Sequence, residues 1–117
     1  MPTLPLSSSR SAGDFLFLSG QIAVGPGGGI VGDGVVEQTH EVVDRIEALL
    51  TAAGLTLADV VKTTIWLTDS KDFAAFNQAY ASRFAEPYPV RSTVVSELVL
   101  PGALVEIEAV ASRGNRS

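Results

Sequence analysis

The chain has 117 residues, close to the commonest size of one domain, and it contains no cysteine, which excludes a disulfide framework, a thiolate metal site and a cysteine nucleophile. The formal net charge of −5 opposes a polyanionic partner and so disfavours nucleic-acid binding. We expect a single domain over residues 1–117 and a cytoplasmic location without a membrane span, because the apolar runs are far shorter than the roughly 20 residues of a membrane helix.

The first half of the chain predicts a strand, a turn and a helix. Residues 14–21 form a short aromatic and aliphatic block bounded by glycines, which is typical of a buried strand. Residues 24–34 are rich in glycine and predict a turn. Apolar residues then recur at helical spacing over residues 35–53, so this segment predicts an amphipathic helix that Gly54 ends.

The middle of the chain predicts a strand followed by a second helix. Residues 60–67 are rich in β-branched side chains, which favour a strand. Asp69 or Ser70 can cap a helix that ends by Pro87, because proline cannot continue a helix. Aromatic side chains recur every three or four residues along this helix and are interpreted as core: Phe73, Phe76, Tyr80 and Phe84.

The last part of the chain predicts two more strands. Residues 91–98 and 104–112 alternate in polarity, and we expect these sequential strands to pair as antiparallel neighbours. Two amphipathic helices and a larger sheet predict a two-layer α+β domain with both helices on one sheet face. The chain is 46% hydrophobic and only 18% charged, so we expect self-association to cover the other face.

Charged residues in these last strands are candidates for chemistry. Glu106 and Glu108 share one face of the final strand, about 7 Å apart. Such a pair performs acid/base chemistry in some proteins and is an ordinary polar strand face in others. Arg91 follows a Pro-Tyr-Pro cluster that holds the backbone extended, and its planar guanidinium suits two-pronged capture of a carboxylate, the alternative being a surface ion pair.

Other familiar sites are not expected from the sequence. His40 is the only histidine, so neither a histidine metal site nor a catalytic triad is predicted. The glycine-rich turn lacks the lysine and the spacing of a phosphate-binding loop. We therefore predict neither a metal nor a nucleotide.

Six sequence blocks spread along the chain together resemble one protein family. They are LFLSGQI at 16–22, QT at 38–39, DVVKTTIWLTD at 59–69, FAAFNQAY at 73–80, PVRSTV at 89–94 and LPGALVEIEAVA at 100–111. Their order and register resemble the reactive-intermediate deaminases (RidA, formerly YjgF), which are often labelled endoribonuclease L-PSP. The resemblance covers nearly the whole chain.

This resemblance implies both an architecture and an activity. The implied architecture is a chorismate-mutase-like α+β fold of the Bacillus type, with a mixed sheet and two helices on one face, assembled as a homotrimer with clefts at the subunit interfaces. The implied activity is hydrolysis of reactive enamines and imines, such as 2-aminoacrylate and 2-iminopropanoate, to a 2-keto acid and ammonia. The family requires neither a metal nor a cofactor.

The resemblance also implies roles for individual residues. Arg91 would bind the substrate carboxylate, and Glu106 would position or deprotonate the attacking water. The other residues implied at the cleft are Ser19, Gly20, Asn77, Thr93 and Leu6, with the backbone of Gly20 and Thr93 fixing water and substrate. Leu6 stands where active members commonly carry a tyrosine, and Arg45 stands where they often carry an asparagine. A reduced activity or an altered substrate preference is therefore expected.

Several functional interpretations stay open at this point. The first is an imine deaminase for small 2-imino acids, with a deaminase of a larger product such as aminomuconate as its variant. The second is a non-catalytic trimer that binds carboxylate metabolites or a partner protein, which Leu6 motivates. An endoribonuclease is the least favoured, because the chain is acidic and has no histidine pair.

Overall fold

The computed structural model describes residues 4–114, which contain two α-helices and five β-strands. In chain order they are β1 Ser9–Ala12, β2 Phe15–Gln21, α1 Val35–Ala52, β3 Val60–Leu67, α2 Phe73–Arg83, β4 Val90–Val95 and β5 Val105–Ser112. Single-turn 3₁₀ helices at Leu57–Asp59 and Ser70–Asp72 precede β3 and α2. Neither α-helix in this range is long and apolar enough to cross a membrane.

The strands form one mixed sheet in the order β1-β2-β5-β3-β4. Every neighbouring pair is antiparallel except β3 and β4, which run parallel on either side of the α2 connection. Both helices pack on one face of the sheet, which we call the helix face, and the opposite face is called the open face. The predicted two-layer α+β architecture is therefore confirmed.

The core lies between the helix face and α1, and it follows from two sequence periodicities. Strand β5 alternates buried and accessible residues, so every second side chain faces the helices. Its buried side chains are Val105, Ile107, Ala109 and Ala111. Helix α1 buries a stripe at helical spacing. Its members are Val35, Gln38, Thr39, Val42, Val43, Ile46 and Leu50. The helix predicted over residues 35–53 is confirmed, and so is the alternation predicted for the last strand.

The predicted pairing of the last two strands is wrong. Strand β5 lies between β2 and β3, whereas β4 pairs only with β3, at the edge of the sheet. The physical reason is burial: β5 has a fully apolar face that needs a central position, while five of the six β4 residues are exposed. Pro89 directly before β4 also suits an edge strand, because proline cannot donate a ladder hydrogen bond.

The aromatic stripe of α2 is only partly core. Phe76, Tyr80 and Phe84 are buried, as expected, but Phe73 is 44% exposed, so its assignment to the core is wrong. Phe73 begins the helix, and its ring faces Arg91 of the edge strand β4. The helix also ends at Arg83, before Pro87, while Asp69 caps the preceding 3₁₀ turn by accepting a hydrogen bond from the Lys71 N–H.

Gln38 connects helix α1 to two loops through a fully used amide group. Its side chain is buried, and its Nε2 donates to the carbonyl oxygens of Gly32 at 3.2 Å and Gly102 at 3.1 Å. Its Oε1 accepts from the Leu104 N–H at 2.8 Å, directly before β5. The amide thus ties helix α1 to both loops and to the start of β5.

Replacing Gln38 by leucine keeps most of the volume and removes all three hydrogen bonds. We expect Gln38→Leu to lower the free energy of unfolding by about 2–4 kcal/mol, because each of the three lost hydrogen bonds contributes about 0.5–1.5 kcal/mol. Urea unfolding at one fixed protein concentration measures the change. The matched control is Gln78→Leu, at an exposed position on α2, which should leave the unfolding free energy nearly unchanged. Equal effects of the two variants would contradict the role of Gln38.

Candidate active site

Arg91 lies on the helix face of the edge strand β4. It is in register with Thr63 of β3, whose side chain is buried under the helices. The Arg91 guanidinium carbon lies 5.0 Å from the centre of the Tyr80 ring and 5.6 Å from that of Phe76. Within residues 4–114 the guanidinium has neither an ion pair nor a hydrogen bond. Its charge is therefore available to an anion from outside the chain.

A pocket of about 360 Å³ opens beside this guanidinium, large enough for a small molecule. Its lining residues are Asn77, Tyr80, Ala81, Tyr88, Pro89 and Arg91. The Oδ1 atom of Asn77 is buried and has no hydrogen-bond partner in the described part of the chain, and the same holds for Oγ1 of Thr93, which shares the helix face of β4 with Arg91. Because buried polar atoms are normally paired, these two atoms are candidates for binding a ligand or an ordered water.

Glu106 lies on the open face, opposite to Arg91. It is in register with Trp66 of β3, and both side chains line a groove of about 190 Å³ with Leu98 and Val99. Burial raises the pKa of Glu106 above the ordinary glutamate value, and the nearby charge of Glu108 raises it further. The carboxyl group thus holds its proton closer to neutral pH than an exposed glutamate does.

Gly20 leaves the space that the Glu106 carboxylate occupies. A Cβ atom on Gly20 would clash with Oε2 of Glu106. The adjacent Ser19 hydroxyl accepts a hydrogen bond of 3.1 Å from Nε2 of Gln21, and Oε1 of Gln21 accepts one of 3.2 Å from Nε of Arg45. Gly20 therefore borders Glu106, and the neighbouring Ser19 is held by Gln21, which Arg45 of helix α1 holds in turn.

Leu6 lies in the segment just before β1. Its side chain is 63% exposed, and two residues later the carbonyl oxygen of Ser8 accepts a hydrogen bond of 3.0 Å from the Ser19 N–H. This contact brings the segment to the end of β2 that carries Ser19 and Gly20. Leu6 thus presents an exposed apolar side chain in the segment that leads to this end of β2.

The predicted site residues therefore fall into two groups, which one chain does not bring together. Arg91, Asn77 and Thr93 form the first group, on the helix face at the β4 edge. Glu106 and Gly20 form the second group, on the open face. Strand β3 lies between β4 and β5, so the sequential strands that carry Arg91 and Glu106 do not flank one cleft within the chain. A site that uses both residues needs two copies of the chain.

Sequence reasoning missed three residues that the structure places beside these groups. Tyr80 and Tyr88 line the Arg91 pocket, and Trp66 lines the Glu106 groove. Tyr80 belonged to a helical stripe that predicts core packing, and no local pattern separates that role from a role in a pocket. Among residues 4–114 no group of three or more acidic or histidine side chains is arranged to hold a metal ion.

Comparison with known proteins gives one consistent family. The family model described as endoribonuclease L-PSP matches residues 1–113. A RutC family protein of Pyrococcus horikoshii is 43% identical over 94% of this chain and 88% of its own. A protein of Escherichia coli named 2-iminobutanoate/2-iminopropanoate deaminase is 38% identical over 93% of this chain and 88% of its own. A solved structure of a Rid family protein from Yersinia pestis superposes with a TM-score of 0.88 at 37% identity and covers 95% of this chain and 90% of its own.

The position of Glu108 predicts a measurable effect on Glu106. We expect Glu108→Gln to lower the pKa of Glu106, because the substitution removes a like charge that disfavours ionisation. The pKa should stay above the ordinary glutamate value, since burial, the larger cause, remains. Carboxyl ¹³C chemical shifts followed during a pH titration give both values. Glu47→Gln, on the exposed side of α1, is the control, and an equal shift in both variants would contradict the coupling.

Proposed function

Because the chain belongs to the endoribonuclease L-PSP family, also called the YjgF/RidA family, we propose that it is an imine deaminase that hydrolyses small 2-imino acids to 2-keto acids and ammonia. The observation that carries this proposal is the unpaired Arg91 guanidinium at a pocket of small-molecule size. A planar guanidinium binds a carboxylate through two parallel hydrogen bonds. The name of the Escherichia coli relative supports the substrate class.

The catalytic unit in this proposal is a homotrimer with its sites between subunits. The opposite orientation of Arg91 and Glu106 supports it, since only a second copy can supply the missing half of each site. The composition of the open face supports it as well, because large apolar side chains there lack a cover. These are Phe15, Phe17, Val90 and Val94, each at least 44% exposed. A face of this kind is typical of a subunit interface.

In the proposed site, the Arg91 group binds the substrate and the Glu106 group supplies the water. Arg91 binds the carboxylate of the imino acid, and Oδ1 of Asn77 accepts a hydrogen bond from the imine N–H. The C=N carbon then lies at the mouth of the pocket, where Glu106 of the neighbouring subunit presents a water. This arrangement holds the water close to the C=N carbon and in the right orientation. Because the imine is already electrophilic, proximity and orientation are the main contributions that the protein needs to make.

Glu106 moves the protons of the reaction. The substrate is the protonated imine, and Glu106 accepts a proton from the water as its oxygen bonds to the C=N carbon, while the C=N electron pair moves to the nitrogen and gives a neutral carbinolamine. Glu106 then donates that proton to the nitrogen, the C–N bond breaks as the hydroxyl oxygen forms the C=O bond, and the hydroxyl proton returns to Glu106 and passes to solvent as ammonia and the 2-keto acid leave. An enamine substrate first takes a proton from solvent at its terminal carbon and becomes the protonated imine. The raised pKa of Glu106 suits this role, because the group must both accept and donate a proton near neutral pH.

Leu6 determines the substrate range in this proposal. An apolar side chain replaces the tyrosine of active family members and offers a contact to substrates with larger apolar side chains. The loss of a phenol hydrogen bond slows turnover by about three- to tenfold, and the reaction is not abolished. A protein without turnover would instead be a trimer that binds carboxylate metabolites.

Arg91→Lys tests the proposal against a wild-type reference. A serine dehydratase generates 2-aminoacrylate, and keto-acid release is followed with and without the wild-type protein, which should accelerate it. We expect Arg91→Lys to lose most of that acceleration, because an ammonium group keeps the charge but not the two-pronged geometry. Arg113→Lys, at an exposed position near the end of β5, is the matched control and should behave as wild type. An inactive wild type with several precursor amino acids, or full activity of Arg91→Lys, would contradict the proposal.

Mixing two inactive variants tests whether the site lies between subunits. Arg91→Ala and Glu106→Gln are unfolded together and refolded together at equal amounts, so that subunits assort at random. Each mixed trimer then contains one interface with both an intact Arg91 and an intact Glu106, and about one quarter of the wild-type activity should return. Each variant refolded alone is the control. No recovery in a mixture that forms mixed trimers would mean that each site lies within one chain.

A further inference from the structure

The Arg91 guanidinium faces three aromatic rings of helix α2. Its central carbon lies 5.8 Å from the ring centre of Phe73, 5.6 Å from that of Phe76 and 5.0 Å from that of Tyr80. The three rings share one side of the helix, because they are three and four residues apart. A guanidinium within about 6 Å of a ring centre is attracted to the ring. The stripe that the sequence predicts as core thus also contacts the charge of the proposed site.

Tyr80 is held by a hydrogen bond as well as by packing. It is buried, and its hydroxyl shares a hydrogen bond of 2.8 Å with Oγ1 of Thr63. Its ring stacks on Phe84, with 4.5 Å between the ring centres. Thr63 is also the register partner of Arg91 across β3 and β4. The backbone that carries Arg91 and the ring that contacts its guanidinium are therefore fixed to the same residue.

An arginine on an exposed edge strand needs such a support. Its long side chain has many rotamers, and fixing them when a ligand binds reduces the affinity. A carboxylate from the protein could orient the guanidinium, but it would neutralise the charge and compete with the ligand. Aromatic faces orient the cation and leave its hydrogen-bond donors free.

We propose that Tyr80, fixed by Thr63, is a positioning residue that holds the Arg91 guanidinium ready for a ligand carboxylate. The inference rests on the proposed function for the role of Arg91, but the position of the guanidinium can be measured without any substrate. Tyr80 itself does not need to touch the ligand. Its effect passes through Arg91.

The first experiment measures the order of the Arg91 side chain in the free protein. In arginine-labelled protein, ¹⁵N relaxation of Nε reports how rigidly the guanidinium is held, and Arg91→Lys assigns the signal. We expect Tyr80→Leu to lower the order of Arg91 Nε, while Tyr80→Phe, which keeps the ring but loses the hydrogen bond to Thr63, lowers it by a smaller amount. Leu16→Ala is the control, because it also removes a buried side chain from the core, but on β2, which β5 separates from β3 and β4.

The second experiment separates binding from chemistry. We expect Tyr80→Leu to raise KM for the imino acid about tenfold with little change in kcat, and Leu16→Ala to change neither, although both variants lose stability. Phe73→Leu removes an exposed ring without opening the core, so it tests the aromatic support of Arg91 if Tyr80→Leu does not fold. It should raise KM by a smaller factor.

Two results would overturn the proposal. One is an unchanged order of Arg91 Nε in folded Tyr80→Leu, or in Phe73→Leu where Tyr80→Leu does not fold, which would show that the rings do not hold the guanidinium. The other is an equal rise of KM in Tyr80→Leu and Leu16→Ala, which would show a purely structural role. A wild-type protein with a rigid Arg91 and no deaminase activity would instead contradict the proposed function and leave the positioning by Tyr80 standing.

Discussion

Side chains alternate between the two faces of a strand, and this alternation decides where each candidate functional group of the protein lies. Strand β5 uses one face for the core and the other for Glu106 and Glu108. Strand β4 turns Arg91 toward the helices and Val90 and Val94 toward the open face. A shift of one residue in either register would exchange these faces. The buried β5 side chains, which cannot move to solvent without losing the core, thus also fix the positions of the carboxylates.

Arg91 and Glu106 lie in different electrostatic environments, and each environment suits the role proposed for the residue. Arg91 is oriented by rings and has no acidic partner in the described part of the chain, so it keeps its attraction for an anion. Glu106 is half-buried beside another glutamate, so its ionised form is disfavoured. An ion pair between the two within one chain would have removed both properties. The intervening strand β3 prevents that pair from forming.

The sequence predicted most of the elements but not their neighbours in space. The helical periodicity of α1 and the alternation of β5 are local patterns that burial imposes, and both were read correctly. The order of the strands depends on how apolar each strand is relative to the others, because the most apolar strands take the central positions. The edge position of β4 therefore could not be predicted from the residues of β4 alone. The family blocks pointed to Arg91 and Glu106, but their opposite faces follow only from the register with β3. Tyr80 is an example of what a sequence pattern does not separate. An aromatic residue at this helical spacing is expected for core packing alone and equally for core packing combined with contact to Arg91.

The strand order also has a consequence for how the protein is made. Strand β5 follows the other four in sequence, yet it pairs with both β2 and β3 and contributes to the centre of the core. Until Val105–Ser112 has left the ribosome, the β1-β2 hairpin and the β3-β4 pair have no strand to join them. Such non-local pairings are slow to form. As long as β5 is still inside the ribosome, the sheet therefore exists only as separate fragments, and it is completed after this strand emerges.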